Sequence, residues 1–425
     1  MKVSVIGLGH IGLPMAVLYA SRGFDVIGID LNKEVVKAVN DKRVINYEPD
    51  LEHLLKFVTL KATTDVNEVS KTDVTFIMLS SPSGKDDYFK SDNVEACVKQ
   101  IAPIINKKES HLVVVVTTLM PNTMDSVISP YFKKHINLCY NPTFIAFGNI
   151  LKNLSEPDAL LIGQRDEQSG EMLQEFYSKI CLNTPTVKRM SFVNAELSKL
   201  LLNCFVTTKI SVANTCAEIC ESYKGGDTDA VMGFLGLDSR IGKKCLKGGT
   251  GFGGDCFPRD SRALVALTKR QGINGAIQMS TGFFNDCHDI NIGSKISYIL
   301  GKEYDATIAI LGVTYKPDTD SVVESSVIKI IKGLLKDGRK IRIYDPEGLE
   351  NTRKELGDVV YYAKSTVDCL KGTSLAVIAV DWAEFKNLSV DVFLDNMKTP
   401  RVFDIWRIHR EFSLDLEYHA IGVGS

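Results

Sequence analysis

The chain has 425 residues, of which 44% are hydrophobic and 24% are charged, and its formal net charge is −2. This length favours two or three domains over a single core. The near-neutral charge gives no electrostatic reason to expect nucleic acid as a partner. The N-terminus, MKVSVIGLGHIG, lacks the basic start and cleavage site of a signal peptide, and no uninterrupted apolar run is long enough to span a bilayer. We therefore expect a cytoplasmic protein with no membrane partner.

The first half of the chain alternates β-rich runs with helical patterns. This alternation predicts a doubly wound parallel sheet of the α/β class. The predicted strands are residues 3–9, 24–30, 74–80, 112–118 and 136–142, and the predicted helices include 13–21, 33–40 and 94–105.

A helical pattern without glycine or proline then runs from Phe192 to about Tyr223, followed by further helical segments to about Leu300. Its apolar faces favour a homodimer interface along this central helix. From Thr307 the α/β alternation resumes in a smaller unit. We predict two Rossmann-like domains, residues 1–190 and 301–425, joined by a long central helix and a helical domain, residues 191–300.

The sequence GLGHIG places Gly7, Gly9 and Gly12 between the first strand and the first helix. Such glycines permit a tight turn, close approach of a pyrophosphate and close packing of helix on strand. Asp30 follows at the end of the second strand, where a carboxylate accepts hydrogen bonds from a ribose diol and repels a 2′-phosphate. The pattern predicts a site for NAD. Ser81 and Thr118, at later strand ends, are candidates to face the same ligand or are ordinary caps.

The segment GGTGFGGDCFPRD, residues 248–260, carries Cys256 among closely spaced glycines. A thiolate can capture an aldehyde as a thiohemiacetal, whose oxidation gives a thioester that water cleaves to an acid. The glycines indicate close approach of the backbone to a ligand, and Asp260 is a candidate base. The other cysteines are scattered without a CxxC pair, so we predict neither disulfides nor a metal site.

Four segments together resemble the UDP-glucose/GDP-mannose dehydrogenase family over nearly the whole chain. They are GLGHIGLP, AELSKLLLNCFVTTKIS, DSRIGKKCLKGGTGFGGDCFPRD and GVTYKPDTDSVVESS. The resemblance implies NAD-dependent oxidation of the C6 alcohol of a nucleotide-linked hexose to a uronic acid, in two steps through a cysteine thioester. UDP-glucose is the leading substrate, and UDP-N-acetylmannosamine and GDP-mannose are alternatives. A third hypothesis is a catalytically weakened homologue that only binds nucleotide sugar.

The same resemblance implies roles for individual residues. Cys256 would be the nucleophile, and Asp260 would assist proton movement. Lys199 and Asn203, one helical turn apart, would hold the substrate's C6 oxygen. Ile11 would join the cofactor turn, and Arg259 stands where the family has a cofactor-facing lysine. The residues implied to line the substrate are Phe144, Phe147, Arg240, Lys247, Gly248, Gly249, Gly253 and Lys316, with Arg240 reaching the partner subunit's substrate.

Three segments depart from the family pattern. The segment NPTFIAFG has Thr143 and Phe147 where the family has glutamates, and a threonine cannot act as a base near neutral pH. Val323 replaces an arginine expected to contact the cofactor. The strand end TTLMPNT keeps Thr118 but moves the proline to Pro121. These changes leave the oxidation plausible and predict an altered hydrolysis of the thioester.

Overall fold

A computed structural model describes residues 1–424, and the chain divides into two compact units. The N-terminal unit spans Met1–Leu202 and the C-terminal unit begins at Asn203. The prediction of an α/β protein with two Rossmann-like sheets is confirmed. The division into three domains at residues 190 and 300 stays a prediction.

The N-terminal unit contains an eight-stranded sheet of order β3-β2-β1-β4-β5-β6-β7-β8. Its strands are β1 Lys2–Ile6, β2 Asp25–Ile29, β3 Leu60–Thr63, β4 Val74–Ile77, β5 Leu112–Val115, β6 Asn137–Tyr140, β7 Ala159–Gln164 and β8 Thr186–Met190. All neighbouring pairs are parallel except β6 and β7. The pairs formed among the five predicted strands are all parallel, as expected. The five predicted strands are present but shorter, and β3, β7 and β8 were missed.

The helices of this unit pack against the sheet. They are α1 Gly12–Ser21, α2 Lys33–Asn40, α3 Leu51–Phe57, α4 Asp92–Ile105, α5 Ile150–Ser155 and α6 Glu167–Ser178, with a π-helical turn at Met124–Ile128 and 3-10 turns at Val66–Lys71 and Ser129–Tyr131. Side-chain N-caps fix where several of these helices begin. The Asn32 side chain accepts a hydrogen bond from Glu34 N at α2, and Asp166 accepts one from Ser169 N at α6.

The long helix predicted from Phe192 is α7, Phe192–Glu221. Among the described residues it is the one helix whose length and apolar composition would suffice to cross a membrane. Helices that form the core of globular proteins meet the same two criteria.

The C-terminal unit continues with helices and then a second sheet, of order β11-β10-β9-β12-β13-β14, in which all pairs are parallel. Its strands are β9 Thr307–Leu311, β10 Lys340–Tyr344, β11 Tyr361–Tyr362, β12 Leu375–Ile378, β13 Arg401–Asp404 and β14 Glu417–Ala420. Its helices are α8 Thr228–Leu235, α9 Phe257–Arg270, α10 Ala276–Leu300, α11 Ser326–Lys336, α12 Leu349–Leu356, α13 Thr366–Leu370, α14 Ala383–Lys386 and α15 Val390–Asn396, with a 3-10 turn at Arg410–Leu414.

The central strands of both sheets are short, β-branched and buried on both faces. The segment LVVV of β5 and the last four residues of TIAIL in β9 are buried at every position. Such strands lose most of their apolar surface to helices above and below, which favours parallel pairing at the centre of a sheet. Each unit therefore has its own core, and the carboxyl ends of its strands lie along one edge, where ligands bind in this fold class.

Candidate active site

The turn after β1 shows why three glycines are spaced as they are. Gly7 has a φ of +91°, and a Cβ there would collide with the carbonyl oxygen of Met78. A Cβ on Gly12 would collide with the Gly7 carbonyl, so helix and turn can only meet without a side chain. A Cβ on Gly9 would meet no atom within 4 Å. Gly9 therefore borders open space, which is where a pyrophosphate would approach the backbone.

Helix α1 begins directly after this turn, and Ile11 stands at its N-cap position. The cap makes no side-chain hydrogen bond, and the first turn contains no acidic residue. No carboxylate of the helix's own first turn therefore neutralises the positive end of its dipole. Asp30 bonds the glycine turn, with Oδ2 accepting from Leu8 N at 2.7 Å and Oδ1 accepting from Asn32 N at 2.8 Å. A carboxylate held in this way keeps lone pairs for a ribose diol, so these residues fit NAD.

The second sheet repeats this turn but changes its carboxylate. Gly312 has a φ of +92°, and its N–H donates to Tyr344 O as the Gly7 N–H donates to Ile29 O. Asp345 then takes the place of Asp30. It is buried and accepts from six donors, namely Val313 N, Thr314 N, Thr314 Oγ1, Glu347 N, Gly348 N and Trp382 Nε1. This carboxylate has no capacity left for a ribose diol, so only the first sheet has a dinucleotide turn.

Ser81 and Thr118 lie beyond the carboxyl ends of β4 and β5, as expected, Ser81 buried and Thr118 half-buried. The sequence reading missed Thr117. Its Oγ1 accepts from Leu79 N and donates to Leu79 O, both at 2.9 Å. Thr117 thereby joins the ends of the two strands that carry Ser81 and Thr118. Two adjacent threonines at a strand end were visible in the sequence, but only the pleat decides which of them faces inward.

Lys199 is buried, and its Nζ donates to the carbonyl oxygen of Thr143 at 2.8 Å while lying 4.8 Å from the centre of the Phe144 ring. The backbone carbonyl of residue 143 therefore orients the lysine, and this contact does not depend on the side chain at position 143. Thr143 and Phe144 therefore both lie against Lys199, a contact that the sequence did not predict. Asn203 follows Lys199 by four residues in α7, one turn later along the same helix.

Phe147, which replaces the second family glutamate, stacks on His10 of the glycine turn. The two ring centres are 5.2 Å apart and the planes meet at 25°. The neighbouring backbone is fixed by Glu48, whose carboxylate accepts from Gly148 N at 2.8 Å and Ile150 N at 2.7 Å. Phe147 thus contacts the cofactor turn.

Glu196 is a further residue that sequence reasoning missed, although it stands one turn before Lys199. Its carboxylate is buried and accepts from Asn122 N at 2.6 Å and Met124 N at 2.8 Å. It therefore holds the loop that follows Thr118. Burial raises the pKa of Glu196 to about 7, even though the two backbone hydrogen bonds oppose that rise.

In the C-terminal unit, Cys256 is exposed and occupies the N-cap position of α9. The N-terminus of a helix favours an anion, which suits a thiol that must react as a thiolate. No disulfide is formed by any of the ten cysteines, all of which lie in the described part of the chain.

Asp260 lies one turn after Cys256 and is completely buried. Its Oδ2 accepts from Asn203 Nδ2 at 2.7 Å, and its Oδ1 accepts from Arg259 Nε at 3.1 Å and Nη2 at 3.0 Å. The side chains of Asn203 and Arg259 therefore both bond Asp260, a grouping that the sequence did not single out. The expected contact of Arg259 with the cofactor stays a prediction. Because both carboxylate oxygens are engaged, the geometry suits a group that orients the Asn203 amide and balances the guanidinium. The role of Asp260 as a base stays a prediction.

The glycines before Cys256 have a different cause from the one expected. Four of them face the protein's own atoms on the side where a Cβ would stand. A Cβ on Gly249 would lie 2.5 Å from Trp406, on Gly251 2.8 Å from Asn285 and Asp289, on Gly253 2.5 Å from Glu324 O and on Gly254 2.7 Å from Tyr315. Internal packing therefore accounts for these four glycines, and the close approach of a ligand to this backbone stays a prediction.

The remaining predicted substrate residues are spread over the C-terminal unit. Lys247 is exposed with its Nζ 5.6 Å from the Trp406 ring centre, and Lys316 Nζ lies 6.0 Å from the ring centre of Tyr315. Gly248 accepts a hydrogen bond at its carbonyl from Arg407, which the sequence did not single out. The Arg240 side chain is 87% exposed and pairs with Asp238 at 2.6 Å.

Comparison with known proteins adds to this geometry. Models of the UDP-glucose/GDP-mannose dehydrogenase family match residues 1–181 as the NAD binding domain, 193–287 as the central domain and 309–411 as the UDP binding domain. The chain is 32% identical to the UDP-glucose 6-dehydrogenase AglM of Haloferax volcanii, over 98% of this chain and 99% of that protein.

Two solved structures are similar over almost the whole chain. The UDP-glucose dehydrogenase of the hyperthermophilic archaeon Pyrobaculum islandicum matches with a TM-score of 0.90 and 28% identity, over 100% of this chain and 98% of that one. The UDP-N-acetyl-mannosamine dehydrogenase Cap5O of Staphylococcus aureus matches with a TM-score of 0.80 and 25% identity, over 99% and 98% of the two chains.

The raised pKa of Glu196 predicts a pH-dependent stability that the variant Glu196→Gln lacks. The unfolded carboxyl titrates near its ordinary pKa of 4.5 and the folded one near 7. The stability that neutral Glu196 contributes is therefore complete below pH 4.5 and lost as the pH rises through about 7. Denaturant unfolding from pH 4 to 8 should show the wild type losing about 3 kcal/mol relative to Glu196→Gln over this range. A difference that is constant with pH would contradict this.

Proposed function

Because the chain belongs to the UDP-glucose/GDP-mannose dehydrogenase family, we propose that it oxidises the C6 alcohol of UDP-glucose to the carboxylate, through a thioester on Cys256. Its cofactor is NAD and its substrates are of the nucleotide-sugar class. The observation that carries the proposal is the exposed Cys256 at the start of α9, one turn from the buried Asp260 that holds the Asn203 amide.

The residues of the N-terminal unit serve the cofactor and the substrate oxygen. Gly7, Gly9, Gly12 and Asp30 hold NAD, which when bound supplies the hydride acceptor for both oxidations. In the first oxidation the C6 hydroxyl loses its proton and the C6 carbon loses a hydride, which leaves an aldehyde. The Lys199 ammonium, oriented by the Thr143 carbonyl, stabilises the negative charge that develops on the C6 oxygen.

The residues of the C-terminal unit carry the covalent step. The Cys256 thiolate adds to the aldehyde carbon, a C–S bond forms and the oxygen becomes an oxyanion that takes up a proton. One N–H of the Asn203 amide is committed to Asp260, and the second would donate to a substrate oxygen. Loss of the second hydride and of the hydroxyl proton turns the thiohemiacetal into a thioester. Water then adds to its carbonyl, the C–S bond breaks and the acid leaves with Cys256 restored.

The last of these steps is the one that the substitution at position 143 affects. A glutamate could position or deprotonate the attacking water, whereas Thr143 offers only a hydroxyl and a carbonyl that already accepts from Lys199. We expect hydrolysis of the thioester to limit the steady-state rate in this protein.

We also propose that the active form is a homodimer built on the central helices. Phe205, Val212 and Ile219 are spaced by seven along α7 and all are more than half exposed, at 69%, 52% and 55%. This spacing places them on one face of the helix. Ile277, Phe283 and Ile290 of α10 are likewise exposed. Apolar surface of this extent is typical of a subunit interface, and Arg240 is exposed as a residue that reaches a partner would be.

Mixing the protein with NAD and a panel of nucleotide sugars tests the activity. UDP-glucose should give about two NADH per sugar, measured by absorbance, together with the uronic acid, measured by mass spectrometry. Cys256→Ala should abolish acid formation, because no thioester can form. Cys245→Ala removes another exposed thiol and should leave the rate unchanged.

The panel also decides between substrates. A larger kcat/KM with UDP-N-acetylmannosamine or GDP-mannose would overturn the choice of UDP-glucose but not the chemistry. NADH formation with none of the sugars would overturn the enzyme function and favour a homologue that only binds them.

The variant Thr143→Glu tests the hydrolytic step. If hydrolysis limits turnover, the glutamate should raise the steady-state rate about tenfold or more by restoring a base, and leave the first hydride transfer unchanged. Rapid-mixing measurements separate the two, since the wild type should show a burst of NADH that the variant lacks. An unchanged steady-state rate would mean that another group activates the water.

The variant Phe205→Asp tests the dimer. A charge on this exposed apolar face should shift the protein from a dimer toward a monomer in light scattering, because the buried carboxylate would be unpaired at the interface. The matched change Phe57→Asp, at another exposed phenylalanine in α3, should leave the mass unchanged. A monomeric wild type would contradict the proposal.

A further inference from the structure

The segment from residue 248 to 252, which leads toward Cys256, is buried but belongs to no helix or strand. Backbone N–H and C=O groups removed from water must find hydrogen-bond partners, and here no neighbouring strand supplies them. Seven of these backbone groups are instead bonded by five side chains of the C-terminal unit.

Two asparagines do most of this. The Asn214 amide accepts from Gly249 N at 2.9 Å and donates to Thr250 O at 3.2 Å. The Asn285 amide accepts from Phe252 N at 2.7 Å and donates to Phe252 O at 3.2 Å. Each amide therefore offers one acceptor and one donor to the loop, as the backbone of an adjacent strand would. We call this pair, Asn214 of α7 and Asn285 of α10, the amide clamp.

Three other side chains complete the set. Arg407 Nη2 donates to Gly248 O at 2.7 Å, His288 Nε2 bonds Gly249 O at 2.8 Å, and Asp289 Oδ1 accepts from Gly251 N at 3.2 Å. All five side chains are at least nine-tenths buried, with exposures between 0% and 6%. Water cannot easily replace any of them, so the loop has one set of partners and one path.

The path continues directly to the nucleophile. Gly254 N donates to Val323 O at 3.0 Å, and α9 begins at Phe257, immediately after Cys256. The clamp thus fixes the chain before Cys256 and the helix fixes it afterwards. We propose that Asn214 and Asn285 are positioning residues that hold Cys256 in its reactive geometry without touching the substrate. This inference rests on the proposed function, since it takes Cys256 as the nucleophile.

The proposal depends on how strongly reactivity responds to small displacements. Removing one amide leaves a buried N–H and a buried C=O without partners, and the loop must move to find others. A shift of about 1 Å at a reacting atom can cost about a hundredfold in rate. Asn285 holds the loop at Phe252, which is not among the residues implied to line the substrate. For Asn285→Ala the loss should therefore appear in kcat with little change in KM.

The test compares Asn285→Ala with Asn387→Ala, an exposed asparagine of the same unit whose amide donates to Ala383 O. Asn285→Ala should lower kcat about 10- to 100-fold and change KM less than about threefold, whereas Asn387→Ala should change neither. Two further readouts do not depend on turnover. Hydrogen exchange at residues 249–252 should accelerate in Asn285→Ala, and the alkylation rate of Cys256 by iodoacetamide should change relative to that of exposed Cys245, both followed by mass spectrometry.

Each outcome either supports or overturns the proposal that the amide clamp positions Cys256. Faster exchange with unchanged kcat and unchanged Cys256 alkylation would show that the clamp is only structural and overturn the proposal. Unchanged exchange would overturn the clamp itself. If Asn285→Ala does not fold, Asn214→Ser, which keeps a small donor and acceptor, replaces it. The same changes in kcat, hydrogen exchange and Cys256 alkylation are then expected. If Cys256→Ala still forms the acid, the proposed function fails, while the exchange and alkylation results for the clamp remain valid.

Discussion

The site in the C-terminal unit depends on one constraint, the need to satisfy the backbone of a buried loop that has no regular secondary structure. An exposed loop would bond to water, and a strand would bond to its neighbour. The segment before Cys256 does neither, and Asn214, Asn285, His288, Asp289 and Arg407 take the place of a second strand. Gly251 follows from the same constraint, because Asn285 and Asp289 approach the backbone so closely there that they leave no room for a Cβ. A loop held in this way can present an exposed thiol at a defined place.

The two sheets share one local arrangement, a glycine turn and an aspartate, but surround the aspartate differently. Each has a glycine at positive φ after its first strand and an aspartate after its second, and in each the aspartate accepts from the residue after that glycine. Asp30 accepts two backbone hydrogen bonds and is half-buried, whereas Asp345 is buried and accepts from six donors, Trp382 Nε1 among them. The first carboxylate is available to a ligand and the second stabilises the fold. The difference comes from the packing around the residue and not from the residue type.

The structure accommodates the residues Thr143 and Phe147 in two ways. Position 143 serves Lys199 through its backbone carbonyl, which every residue possesses, so this contact tolerates the change from glutamate. Position 147 gains an aromatic contact with His10 in the cofactor turn, which a glutamate could not make. Lys199 and the cofactor turn are therefore supported by the residues around them, and in the proposed mechanism the hydrolytic step is the one that loses a chemical group.

The sequence by itself determined the fold class, the dinucleotide turn and the position of α7, because each of these is a local pattern of periodicity or glycine spacing. It also singles out Cys256 by residue chemistry, and the role of Cys256 as the nucleophile stays a prediction. Strand β3 was missed because it is short, and β8 because it is half-exposed. Strand β7 is mostly buried, and its antiparallel pairing with β6 is a matter of topology that local periodicity does not encode. Only the tertiary structure decided which side chains hold the site. Arg407 meets Gly248 across 159 residues and Glu196 meets Asn122 across 74. Such contacts leave no mark on local spacing, and they become readable only when packing brings distant donors and acceptors together out of water.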